Sequence, residues 1–366
     1  MTLKLINNVS FILMILLFST CKNEADPDAT SNVSADSLQI EALNVVISTD
    51  SEILGEPREI VNMDEDHFAV YDHAYKKIMV FNKSGEKQYE FGNTGEGPGE
   101  WDPMGGARDL NYHDGTFFSN NGSRYLFDLY NKDGGLIKSI SYEPYLDYTH
   151  KSLVDENRIL TTTNGNENSL AVVLDLENEL AVIDSVGQPE AGFRLRPNFE
   201  EQRTTYANGE LPEGALNEAL ATKIEGDYIV FMNTLGELRR YSQDGEIVFE
   251  VELPKDVKET IFNYIVEVNK NESPPHSVRP LEYAKEIQYK NGMVYLFMPI
   301  KHPDREGLEA RFLIYDEEGS LLSHFVFEPD ERETILYDFT VDEDNTVYFA
   351  DVMNASVLSF DPEIKE

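Results

Sequence analysis

With 366 residues, 41% of them hydrophobic and 11% aromatic (20 Phe, 19 Tyr), the chain has ample material for a core of strand-favouring side chains. Its 68 acidic against 30 basic residues give a formal charge of −38, a field that repels phosphates and anionic headgroups and excludes non-specific nucleic-acid binding. The acids are scattered over turns and strand edges, so most of this charge reads as a solubility device.

Residues 1–20 open with Lys4 and carry an apolar run, Val9 to Phe18, broken only by Ser10. That run is too short for a membrane span and suits the apolar region of a signal peptide. It ends in Leu17-Phe18-Ser19-Thr20-Cys21, and Cys21 is the single cysteine of the chain. An apolar run closing in Leu17-Phe18, the two small residues Ser19 and Thr20 and then Cys resembles the lipobox of bacterial lipoproteins, which implies that Cys21 becomes the lipidated N-terminus. A lone cysteine spent in this way also agrees with an exported protein that has no disulfide framework.

Residues 21–37 are polar, lack aromatics and read as a flexible tether. Their opening, Lys22-Asn23-Glu24-Ala25-Asp26, loosely resembles the Lys-plus-acid surface signal of some lipoproteins of Bacteroidetes-type bacteria. The expected address is therefore the outer membrane, on its periplasmic or surface side, with the lipid as the only membrane anchor.

From residue 38 to 366 the chain repeats one unit, best seen in His67 to Trp101. Two alternating strands, a tight turn, an outer strand and a Gly/Pro-rich exit loop follow one another, and five weaker copies come after. The residue closing the third strand and the turn residue four later recur as Phe81 and Gly85, Tyr130 and Gly134, Leu174 and Asn178, Tyr241 and Gly245, Tyr315 and Gly319, Phe360 and Ile364. Turn sequences DED, HDG, DEN, EGD, KNG and DEDN precede the second strands and suit hairpin loops. A shorter inner strand begins each unit, anchored at Ile60, Leu110, Leu153, Leu220, Ile287 or Phe339. Six four-stranded antiparallel meanders, none able to bury both faces alone, predict an all-β, six-bladed β-propeller. The last unit lacks an outer strand, which Leu38 to Ser48 is expected to supply, closing the ring and removing an exposed edge. A seventh blade hidden in Gly187 to Asn217 is the main alternative. Blade three, Thr149 to Val186, is the least clearly marked.

The exit loop Phe91-Gly92-Asn93-Thr94-Gly95-Glu96-Gly97-Pro98-Gly99-Glu100-Trp101 resembles the G-x-G-P-G-E-aromatic signature of six-bladed, TolB-like β-propeller lipoproteins of Bacteroidetes-type bacteria. Trp101 stands where Phe is commoner. The lipobox, the blade count and a helical insertion after blade four extend the resemblance over nearly the whole chain. It implies fold and address more than activity.

Strand parity places every long segment on one rim: Gly92 to Gly106, Tyr142 to His150, Gly187 to Asn217, Pro254 to Pro280 and Pro299 to Arg311. Long loops on one face of a rigid scaffold mark that rim as the binding face. Within it, Val257, Ile261, Tyr264, Ile265 and Val268 follow helical spacing, so a short amphipathic helix is expected to pack over the blade edges.

Two residues before the inner-strand anchors stand Arg58, Arg108, Lys151, Glu218, Lys285 and Tyr337. Four cations converging on one channel mouth suggest a pocket for an anionic group such as a carboxylate, with Arg suited to two-point contact. Local neutralisation by Glu59, Asp109 and Glu286 is the competing reading. The loop Gly95, Gly97, Pro98, Gly99 and Glu100 offers backbone N–H groups, from every one of these residues but Pro98, for an anion-holding nest, although a tight crossover also explains its glycines.

The seven His show no zinc spacing. The acid runs Asp64-Glu65-Asp66 and Asp342-Glu343-Asp344 lack the calcium-loop pattern and read as turn residues. No metal, cofactor or catalytic residue is assigned. The expected protein is a monomeric envelope module that binds an anionic small ligand or an envelope protein. The alternative is a metal-assisted hydrolase or lyase acting on a sugar or lactone at the channel mouth, a use to which related propellers are put.

Overall fold

Apolar/polar alternation between Asp/Asn/Gly turns produces strands throughout a computed structural model that describes residues 37–40, 43–51, 53–142, 150–192, 199–271, 278–301, 308–327 and 334–364. Residues 1–20, expected to be a signal peptide, Cys21 and nearly all of the expected tether lie outside these residues, as do parts of four of the five long rim segments. The first strands are β1 (Leu38–Ile40) and β2 (Asn44–Ile47). Blade one comprises β3 (Pro57–Asn62), β4 (His67–Asp72), β5 (Lys77–Asn82) and β6 (Lys87–Phe91), and its exit loop carries β7 (Asn93–Thr94) and β8 (Glu100–Trp101). Blade two is β9 (Arg108–His113), β10 (Thr116–Asn121), β11 (Leu126–Asn131) and β12 (Leu136–Ser141). Blade three is β13 (Lys151–Asp155), β14 (Arg158–Thr162), β15 (Ala171–Asp175) and β16 (Ala181–Val186), and helix α1 (Phe199–Ala207) follows it. Blade four is β17 (Ala219–Ile224), β18 (Asp227–Met232), β19 (Glu237–Tyr241) and β20 (Ile247–Glu252), leading into helix α2 (Lys255–Asn271). Blade five is β21 (Glu286–Lys290), β22 (Met293–Lys301), β23 (Leu308–Asp316) and β24 (Leu321–Phe327); blade six is β25 (Leu336–Val341), β26 (Val347–Asp351) and β27 (Ser356–Phe360).

The glycines of the repeat register have a local cause. Gly85, Gly134, Gly245 and Gly319 all take positive φ, between 79° and 86°, in the turn from third to fourth strand, a conformation that costs an L side chain.

Six hydrophobic clusters each join two neighbouring blades, and together they close the circle. Phe68 and Phe81 of blade one pack with Tyr348 and Val357 of blade six, while Tyr71 and Phe91 pack with Trp101, Phe117 and Tyr130 across to blade two. Phe118 and Phe127 meet Ile159 of blade three, Val173 meets Val230 of blade four, and Ile229 and Phe231 meet Ile287 and Leu296 of blade five. An aromatic set of Phe297, Phe312, Phe325, Phe339, Phe349 and Phe360 completes the ring between blades five and six. Each blade thus buries both faces, as stacked sheets must.

Closure differs in one respect from the expectation for Leu38 to Ser48. Only β2 supplies the outer strand of blade six, pairing antiparallel with β27 from Asn44↔Ser359. β1 instead runs parallel to β24, with Leu38↔Phe325 and Ile40↔Phe327, and gives blade five a fifth strand. The apolar side chains of both short strands find cover, Ile47 against blades one and six and Leu38 and Ile40 against blades five and six. Gly187 to Asn217 holds α1 and a one-turn 3₁₀ helix, Glu213–Ala215, and no strand among its described residues, so it is not a blade. α2 is longer than the apolar spacing indicated. Its Val257, Ile261 and Ile265 are buried with Tyr206 of α1 and with Leu281 and Tyr283, so its apolar face is used in packing.

The inner strands leave one edge of backbone groups facing the central channel, and side chains from neighbouring blades satisfy several of them. Ile60 N–H donates to Asp338 Oδ2 (2.9 Å) and Asn62 N–H to Thr340 Oγ1 (2.8 Å). Leu153 N–H donates to Asn111 Oδ1 (3.2 Å), and the Gln288 amide donates to the Phe339 carbonyl (2.7 Å).

Candidate functional site

The starts of the inner strands surround a cavity of roughly 440 Å³ at one channel mouth. Asn164, Asn233, Gly105 and Glu282, from second-to-third strand links and blade crossovers, also line it, so the mouth opens on the long-loop rim. Two of the inner strands bulge here. Arg58 is the extra residue between the Pro57↔Asp72 and Glu59↔Tyr71 pairs, and Tyr337 is the extra residue between Leu336↔Asp351 and Asp338↔Ala350. In β9 the register shifts between Asn111 and Arg108, where Asp109 has a φ of 50°. Bulges re-aim side chains, and these lie in adjacent blades six, one and two.

Of the residues singled out by sequence, Arg58, Arg108, Lys285 and Tyr337 line this mouth. Lys151 does not. It is 4% exposed and belongs to the opposite opening of the channel, with Nζ 3.4 Å from Asp109 Oδ2. β13 has no register shift at Lys151, which pairs with Thr161.

The cations at the mouth are in different states. Arg58 contacts Glu56 Oε1 through Nε at 2.9 Å and Nη2 at 2.5 Å. Its guanidinium carbon lies 5.9 Å from the Tyr337 ring centroid. Lys285 donates to the Tyr337 carbonyl and sits 2.8 Å from the ring centroid. Burial lowers the Lys285 pKa, opposed by Asp338, Glu59 and Glu286. Arg108 is exposed and, among the described residues, makes no hydrogen bond or ion pair.

One residue before the anchors, the channel wall carries Glu59, Asp109, Glu286 and Asp338, and all four line both openings. Burial, reinforced by Glu286 and opposed by Lys285, pushes the Asp338 carboxyl up to about 7. Glu59 is raised well above the usual carboxylate range, first by burial and then by Asp338. His150, 7% exposed, contacts Glu286 Oε1 through Nε2 at 3.1 Å and receives the Ala221 N–H at Nδ1 at 3.4 Å. Burial disfavours its charged form, but Glu286 outweighs burial and the His150 pKa is raised. Sequence reasoning treated Glu59, Asp109 and Glu286 as neutralisers and missed Asp338 and His150. The signal for Asp338 was present, since it precedes the Phe339 anchor as Glu59 precedes Ile60.

The Gly-rich loop holds no room for a foreign anion, because its own carboxylate occupies it. Gly97 N–H donates to Glu100 Oε2 at 2.7 Å, and a Cβ on Gly95 would lie 2.1 Å from that oxygen. Arg124 fastens the loop from outside, donating to the carbonyls of Glu96 (2.7 Å), Gly97 (2.9 Å) and Glu100 (2.8 Å). Gly99, at φ 71°, lies against Leu136. Trp101 is fully buried, and a Cβ on Gly92, at φ 98°, would lie 1.9 Å from its ring. The signature is therefore a self-filled crossover that wedges an aromatic between blades one and two.

Asp64 caps its turn by accepting from Asp66 N–H (2.9 Å), and Asp342 does so from Asp344 (3.0 Å) and Thr346 (2.9 Å), as turn residues do. Among the described residues no group of three or more His, Cys, Asp or Glu is placed to hold a metal ion, and no helix is long and apolar enough to cross a membrane.

No protein-family model matches the chain, and no curated protein matches it. Solved structures do. A candidate exported protein of Bacteroides fragilis aligns at a TM-score of 0.53 with 12% identity, covering 90% of this chain and 99% of its own. Streptogramin B lyase aligns at 0.48 and 12%, covering 87% and 96%. The WD40 β-propeller domain of Doa1 aligns at 0.48 and 11%, covering 88% and 98%. At these identities the likeness is one of fold.

Proposed function

We propose that the chain is a lipid-anchored envelope module that captures a small ligand at the long-loop mouth of its channel, with an anionic group of the ligand held by Arg108. The observation that carries this reading is an exposed guanidinium without a partner among the described residues, at the lip of a cavity of roughly 440 Å³, in a chain with more than twice as many acids as bases. Cavities of this size suit small molecules, and a planar guanidinium suits a carboxylate. Arg58 and the Tyr337 ring, turned to the same mouth by their bulges, supply a second donor group and a face for stacking. The anchor rests on the apolar run Val9 to Phe18 and on Cys21. The TolB-like signature supports the same address.

The test is isothermal titration of the full chain with a panel of small carboxylates, compared with Arg108→Ala. Arg108 has no partner to lose among the described residues, so Tm should move by no more than about 1 °C. Affinity should fall by about tenfold or more. Unchanged affinity in a folded variant would remove Arg108 from the site. For the anchor, Cys21→Ser should release the protein from the membrane fraction and abolish fatty-acid labelling.

A further inference from the structure

The mouth that carries one unpartnered cation also carries an unpartnered acid. Glu59 projects from β3 into the channel wall and lines the cavity, yet its carboxyl has no hydrogen-bond or ion-pair partner among the described residues. The two charges do not satisfy each other. Arg108 lies at the exposed lip, whereas Glu59 lies at the level where the two channel openings meet. The census of the cavity points the same way. Glu59, Asp109, Glu218, Glu282, Glu286 and Asp338 line it, against Arg58, Arg108, Lys285 and the imidazole of His150. Arg58 is held by Glu56 and Lys285 turns its ammonium to the Tyr337 carbonyl, while on the acidic side Glu286 is held by His150 and Asp109 lies 3.4 Å from Lys151 Nζ, which leaves Glu59 and Asp338 as the acids to account for. The lip can take an anion, and acidic side chains outnumber basic ones at the floor.

We propose that the ligand of this mouth is amphoteric, an amino acid-like or amino sugar acid-like molecule whose anionic group sits on Arg108 and whose ammonium group sits on the floor formed by Glu59 and Asp338. This rests on the mouth being the ligand site and names the class of ligand. Glu59 faces Asp338 from β25, Lys285 and Glu286 from β21, and Asp109 from β9, with Arg58 beside it on its own strand. Burial of Glu59 and Asp338, with Asp109 and Glu286 also at this level and Lys285 and Arg58 as the opposing cations, makes a neutral, proton-holding floor the favoured state of the empty site. An ammonium group arriving there takes the place of that proton, which passes to the buffer. Binding is thus an exchange of one cation for another at the floor, coupled to ion pairing at the lip.

The experiment titrates the full chain with three matched probes, hexanoate, hexylamine and 6-aminohexanoate, at pH 6.5 in two buffers of different ionisation heat. Glycine and 4-aminobutyrate extend the series to shorter spans. The expected result is that one of the amino acids binds at least tenfold tighter than hexanoate and releases between half and one proton per site, whereas hexanoate binding releases none. Glu59→Gln and Asp338→Asn, made separately so that one folded variant suffices, should each reduce the proton release and bring the amino acid's affinity within about threefold of hexanoate. Hexanoate binding that depends on Arg108 while no amino acid of the series binds more than twofold tighter or releases protons would overturn the amphoteric ligand and leave the anion site standing. An amino acid that binds tightly without proton release, or with release unchanged in a folded Glu59→Gln or Asp338→Asn variant, would also overturn it. No probe binding, with Arg108→Ala indistinguishable from wild type, would overturn both.

Discussion

Asp338→Asn is the substitution whose effect depends most directly on the chemistry of the channel wall. The Asp338 carboxyl is 8% exposed and is pushed up to about 7 from 3.8, by burial first and then by Glu286. A folded-state pKa above the unfolded value means that the neutral carboxyl's contribution is fully present below about pH 3.8 and is lost as pH rises through about 7. Holding a carboxyl at about 7 instead of 3.8 corresponds to on the order of 4 kcal/mol against ionisation. The amide cannot ionise, and its oxygen can still accept from Ile60 N–H, now at 2.9 Å from Asp338 Oδ2. The substitution also removes one of the acids that stabilise the Lys285 ammonium, so the net gain should be about 1–4 kcal/mol at pH 8 and near zero at pH 4. Urea unfolding of both proteins at half-unit intervals from pH 4 to pH 8 measures this difference directly, provided both unfold reversibly. A stability difference that is flat across that window, or that favours wild type increasingly above pH 7, would refute the assignment of a raised pKa to Asp338.

Three further outcomes are expected. Gly92→Ala forces a side chain into positive φ and against the Trp101 ring, and should cost about 3 kcal/mol or more, read as a lower urea midpoint with fluorescence evidence of a displaced Trp101. Glu100→Ala empties the Gly-rich loop and leaves Gly97 N–H without its acceptor, so it should cost about 1–3 kcal/mol; an unchanged midpoint would mean that the loop does not need its own carboxylate. His150 should titrate above its ordinary value in an NMR pH series and drop in Glu286→Gln, because Glu286 is what outweighs burial. Its contribution to stability is therefore present below about pH 6.5 and fades as pH rises through the raised value.

Local signals made most of the ring legible. Gly at positive φ marks the turn between third and fourth strands in four blades, and the Asp/Asn turns mark the hairpins, so β4, β10 and β22 begin where the sequence indicated. Blade three, weakly marked, has all four strands, and its edges were obscured by the 3₁₀ turn at Asn166–Asn168 between β14 and β15. The split of the N-terminal segment between two blades was not legible, because Leu38, Ile40 and Val45 present the same apolar pattern to either outer edge. Which blade each strand joins is decided by packing against residues some 280 to 315 positions away. The site was half legible for a related reason. Spacing from the anchors found Arg58, Arg108, Lys285 and Tyr337, but it treated every inner strand as regular. The bulges at Arg58 and Tyr337 lie at the mouth, while Lys151, on a strand without a shift at that point, lines the other opening. The environment of Asp338 depends on β21 of the preceding blade and on β3, which lies beside β25 only after the ring has closed.

The most direct test of the account is a crystal structure of the full chain with the tightest-binding acid of the panel. It should show the ligand in the long-loop mouth, with its carboxylate about 2.7–3.1 Å from the Arg108 guanidinium. A ligand bound outside that mouth, or inside it with its carboxylate turned away from Arg108, would contradict the account.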